Sequence, residues 1–163
     1  MSARAEAYAT QFEDLSQQFI ASVERYTPAQ MQLICEGEQC TVAALASHIA
    51  EGHPVIADWV VTAAAGGPLP SVTMDDIDAM NAEQVARDAN RPKDEILAAL
   101  RENGAAAASI IRGLDDNALD RSMHFTLVGR DVSTEWLVQN ILINELVHHP
   151  ASIRAACEQA PSA

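Results

Sequence analysis

The chain has 163 residues, with 23 Asp and Glu against 10 Lys and Arg, for a formal charge of −13. Such a field repels phosphate backbones and anionic membrane surfaces, which excludes a nucleic-acid binder. Hydrophobic residues at 48% exclude wholesale disorder, and Ala at 30 positions with only 4% aromatics favours helix over sheet.

The first element is read from Tyr8, Phe12, Leu15, Phe19, Val23 and Tyr26, whose steps of three and four predict an amphipathic helix ending at Thr27-Pro28. Loop text follows to Cys40. Thr41 is then placed to cap a second helix that turns Val42, Leu45, Ile49, Ile56, Trp59 and Val60 inward. Pro54 lacks the N–H that would bond four residues back, so a kink or break is expected there. The run from Gly66 to Pro70 ends this segment.

A long connection from Ser71 to Arg91 is expected to hold a helix over about Asp75 to Ala89, started by Thr73-x-x-Asp76. Pro92 opens a third main helix that buries Ile96, Leu100, Ala107, Ile111 and Leu114, with Asn103 and Gly104 interrupting its middle. Met123 to Val132 is the only strand-like text and suggests a small hairpin. Ser133 can cap a last helix from Thr134 to about Ala156. Four long helices make an all-α four-helix bundle the expected fold, as one domain over residues 1–163.

Three cysteines, Cys35, Cys40 and Cys157, are too few for a disulfide framework. Cys35 and Cys40 are spaced C-x4-C without a second pair, so they read as unpaired loop thiols. The first residues lack the apolar core of a signal peptide, and no apolar run reaches the roughly 20 residues of a bilayer span. The expected location is therefore cytoplasmic.

The chemistry points to histidine. Asn144-Glu145-Leu146-Val147-His148 departs from the H-E-x-x-H protease motif at its first ligand, and a carboxamide is a poor zinc ligand. Glu145 and His149, four residues apart, share one helical face at the border of the apolar stripe. A Glu facing a core must be protonated, paired or bound to a cation. His48 lies at the edge of the buried stripe of the second helix. Taken alone, such a His is more often a core residue bonded to a carbonyl. Joined to Glu145 and His149 across a bundle, it completes two imidazoles and one carboxylate, with a position open for water or substrate. His53 has no settled direction beside the Pro54 kink, and His124 reads as a surface residue.

Thr41-Val42-Ala43-Ala44-Leu45-Ala46-Ser47-His48-Ile49 resembles the second-helix signature of DinB-like proteins and of the mycothiol-dependent maleylpyruvate isomerase N-terminal domain. Asp76-Ile77-Asp78-Ala79-Met80-Asn81 resembles the stretch that follows it. Gly129-Arg130-Asp131-Val132-Ser133, then Glu145-x-x-x-His149 and Ile153, resembles their last helix. The resemblance implies one divalent metal, Zn or Ni, at a triad matching His48, Glu145 and His149. Many DinB-like members carry His where this chain has Glu145, and the mycothiol-dependent branch carries Glu. The implied function is a metal-dependent enzyme, a transferase or isomerase, in which a low-molecular-weight thiol of the mycothiol, bacillithiol or glutathione type is the nucleophile. The alternatives are a non-catalytic metal-binding helical module and a metal-dependent hydrolase. The expected partners are a small-molecule substrate and a second copy of the chain in a homodimer, with no nucleic acid and no membrane.

Overall fold

The computed structural model describes residues 2–159, which are mostly helical with two small antiparallel hairpins. Helix α1, Ala3–Arg25, starts where the Ser2 side chain accepts from the Ala5 N–H. It buries Phe12, Phe19 and Val23 as its periodicity predicts, and adds Ala5, Ala9 and Ser16. The stretch expected as loop contains more structure. Thr27 and Gln30 form a capping box on a short helix α2, Pro28–Met31. Strands β1, Ile34–Cys35, and β2, Cys40–Thr41, then pair as a tight hairpin. Strands of two residues carry no readable alternation, which is why this hairpin is silent in the sequence.

Helix α3, Val42–Ala64, is capped by the Thr41 side chain, which accepts from the Ala44 N–H. Of the kink or break expected at Pro54, no break occurs: the helix runs on through Gly52 and Pro54. Pro54 leaves the Ala50 carbonyl without its helical donor. Asn103 replaces it, donating its side-chain N–H to that carbonyl at 2.9 Å. The residue that interrupts one helix pattern therefore repairs another. Asn103→Ala is expected to cost about 1–2 kcal/mol, the usual loss for an orphaned, partly buried carbonyl, and to lower the thermal midpoint accordingly. An unchanged midpoint would show that water serves Ala50 equally well.

Helix α4, Met74–Asp88, opens with the expected Thr73–Asp76 capping box. Its last residue, Asp88, is buried and accepts from Ser47, Gln84 and Arg87. Arg91 closes the network by donating to Ser47 and Glu51. These bonds fix the α4–α5 connection against α3 beside His48. Helix α5, Lys93–Arg112, packs most extensively on α1 and α3, and every apolar position expected to face the core is buried. Gly104 sits in its middle because α1 comes close there: an added Cβ would stand 3.0 Å from Ser16 Oγ.

After the short helix α6, Asp116–Asp120, strands β3, Ser122–Phe125, and β4, Arg130–Ser133, form the second hairpin. Gly129 turns it at φ 65°, a conformation that favours glycine. The Ser133 side chain caps α7, Thr134–Leu137, by accepting from the Trp136 N–H. A π-helical stretch, Val138–Ile143, leads into α8, Asn144–Gln159. The expected single helix thus contains a π-helical stretch near its start. Widening to i→i+5 bonds turns Leu142 and Ile143 inward just before Glu145. No helix among the described residues is long and apolar enough to cross a membrane.

Candidate metal centre

Where α3 meets α8, His48 faces Glu145 and His149. The Glu145 Oε2 atom lies 3.5 Å from His48 Nε2 and 3.3 Å from His149 Nε2. The imidazole rings stand edge to face, with centroids 5.1 Å apart. All three side chains are mostly covered, at 14–23% exposure. The i,i+4 spacing sets Glu145 beside His149, and α3 crossing α8 brings His48 from almost 100 residues away.

Oε2 is buried, yet it accepts no aligned hydrogen bond among the described residues. Its two contacts are longer than the 2.7–2.9 Å typical of a charge-assisted N–H···O bond. Two imidazole nitrogens therefore converge on one buried carboxylate oxygen. Burial works to raise the Glu145 carboxyl, but the His149 and His48 imidazoles more than offset it and hold it down to about 2. Burial likewise works to lower His149, and Glu145 and Glu38 outweigh it, leaving the imidazole above its ordinary value.

A fourth side chain reaches the cluster from the β1–β2 hairpin. Glu38 Oε1 is 3.1 Å from His149 Nδ1 and 3.7 Å from His148 Nε2, and Ser152 Oγ donates to it at 3.5 Å. Two sets of donor atoms are thus close enough to hold an ion: His48, Glu145 and His149, and the more open set of Glu38, His148 and His149. Glu38 was legible only as an acidic residue between two cysteines, because nothing local in the sequence carries it to a histidine 111 positions away.

The remaining candidates lie outside the His48–Glu145–His149 set, His148 at its exposed edge in the Glu38 set. His53 is fully buried, edge-on to Phe12 with ring centroids 5.0 Å apart. Neither of its nitrogens has a partner among the described residues. Burial pushes its imidazole down to about 4, against a weaker pull from Glu145. His124 belongs to β3 rather than to a loop, and pairs on the surface with Asp131 at 3.0 Å. His148 is 69% exposed. Cys35 and Cys40 face one another across the first hairpin, both free and buried, which corrects their expected place in a loop. Burial raises all three thiols, Cys35 to about 12.

These features define a mostly helical protein with a covered His–Glu–His cluster between two of its long helices. The family described as the mycothiol maleylpyruvate isomerase N-terminal domain matches residues 12–154, and the chain belongs to it. Searches of curated proteins and of solved structures each found no match.

Proposed function

We propose that the chain is a metalloenzyme of the thiol-dependent transferase or isomerase type, a DinB-like four-helix bundle that holds one divalent ion through His48, Glu145 and His149. The observation that carries this reading is the spacing of the donor atoms. In a tetrahedral site with zinc–ligand bonds of about 2.0–2.1 Å, neighbouring donors stand about 3.3–3.4 Å apart. Oε2 lies 3.3 and 3.5 Å from the two Nε2 atoms. Two imidazoles and one carboxylate suit zinc or nickel and leave a position for an exogenous ligand.

A bound ion supplies a Lewis acid that lowers the pKa of a thiol or a water placed beside it. The residues of the chain do the rest. His48 and His149 present neutral nitrogens from two helices, and Glu145 brings the negative charge that compensates a dication. The surrounding helices cover the cluster and limit the water that reaches it. An external thiol is favoured over the protein's own because burial keeps Cys35, Cys40 and Cys157 protonated and poorly nucleophilic. This function fits the cytoplasm, where low-molecular-weight thiols are available, and a small electrophilic substrate.

Protein purified without chelator or nickel resin is expected to carry about one divalent ion per chain by elemental analysis. His48→Ala and His149→Ala should remove most of it, and His148→Ala and His53→Ala should leave it nearly intact. Equal loss from His148→Ala and His149→Ala would move the site to the Glu38 side. In a cobalt-substituted sample, a small thiol should add a pH-dependent thiolate band in the ultraviolet. A closed site with no thiol response would favour a structural metal.

A further inference from the structure

We propose that Glu38 is a positioning residue for the metal centre: it accepts the Nδ1–H of His149 and so commits the Nε2 of that ring to the ion. This rests on the metal site proposed above. An imidazole that binds a metal through one nitrogen carries its proton on the other, and the acceptor of that proton sets both the tautomer and the ring angle. His149 is placed for this division of labour. Its Nε2 lies 3.3 Å from Glu145 Oε2, on the side of His48, and its Nδ1 lies 3.1 Å from Glu38 Oε1. Glu145 cannot serve both nitrogens, and the acceptor comes from a different element.

The hairpin that carries Glu38 is built to hold it still. Its feet, Cys35 and Cys40, are buried and opposite one another in the strand register, and the Val42 N–H donates to the Leu33 carbonyl at its base. At the tip, the backbone N–H groups of Glu38 and Gln39 both donate to the Cys35 carbonyl, at 3.0 and 2.8 Å. Gln39 is the only non-glycine described residue with positive φ, at 56°. Holding a side-chain-bearing residue there is strained, and such strain persists where the surroundings over-determine the turn. The Glu38 side chain lies against α8, where Ser152 Oγ also reaches its Oε1 atom at 3.5 Å. The Glu38 side chain is only 24% exposed, so bulk water weakens the contact little.

The test compares wild type, Glu38→Ala, Glu38→Gln and His149→Ala, with zinc affinity read by competition against a chelator and ring tautomers read by nitrogen NMR. Glu38→Ala should bind zinc about 10–100-fold more weakly, the usual loss for an outer-shell partner. Glu38→Gln should recover much of that affinity, because its amide oxygen still accepts the N–H. The zinc-loaded wild type should show His149 protonated at Nδ1, and the metal-free melting point of Glu38→Ala should stay near that of wild type. A fall in the metal-free melting point with zinc affinity unchanged would make Glu38 a structural hairpin residue and overturn the proposal. So would a second bound ion that Glu38→Ala removes while the first keeps its affinity, because Glu38 would then be a ligand. If Glu38→Ala keeps full affinity while His149→Ala loses it, Glu38 is rejected and the metal site stands. If both keep it, the metal site itself is rejected.

Discussion

Glu145→Gln is expected to lose divalent metal by on the order of 100-fold or more in affinity, since a ligand should count for at least as much as an outer-shell partner. The amide keeps the size of the side chain and removes the charge that compensates the ion. Glu145→His should keep the metal, because a third imidazole still leaves three donors around the ion. The carboxylate makes bound water or thiol somewhat harder to deprotonate than a third imidazole would, so thiol ionisation in Glu145→His should shift to lower pH. Metal content and thermal unfolding of both variants decide the matter. Full metal in Glu145→Gln together with a higher melting point would mean that Glu145 is only a buried acid held by His48 and His149.

His53→Leu is expected to stabilise the fold by about 1–3 kcal/mol at neutral pH, because it removes two ring nitrogens buried without partners among the described residues and fills similar space. The gain should grow in acid. The His53 pKa is about 4 in the folded chain and about 6.5 in the unfolded one, so the unfolded state binds the extra proton between those values. Wild type should therefore lose stability as pH falls from about 6.5 to about 4, by up to about 3 kcal/mol from this group, and no further below. His149 acts in the opposite sense: its folded pKa is raised, so its contribution is present below about 6.5 and lost as pH climbs through the folded value. Glu145, held down to about 2, contributes above about 4.5 and loses that contribution as pH falls toward 2. Both remain in His53→Leu, so the difference between the two denaturation curves isolates His53. Parallel loss in the two proteins between pH 6.5 and 4 would show that the ring is not buried neutral, and metal content should not change.

The helix starts were legible because caps are local. Thr41, Thr73 with Asp76, and Ser133 each bond a backbone N–H within three residues, so sequence spacing alone locates them. The second hairpin was legible through the strand-like text around Gly129. The first was not, because Cys35-Glu36-Gly37-Glu38-Gln39-Cys40 reads as loop and pairs over two residues only. The absence of a break at Pro54 was not legible for a different reason. The effect of this proline on α3 depends on a donor supplied by Asn103, and no helical rule for residues 42–64 contains that side chain.

The sequence by itself determined the helical content, the buried faces of α1 and α5, and the shared face of Glu145 and His149, because these follow from 3.6-residue periodicity and short-range bonds. The tertiary structure alone decided that His48 meets that pair within 3.5 Å, that His53 is sealed against Phe12 rather than turned toward the cluster, and that Glu38 holds the far side of His149. Each of these depends on how two elements cross, on the π-helical stretch before Glu145, or on a hairpin too short to leave a pattern. Such contacts are set by packing between distant segments.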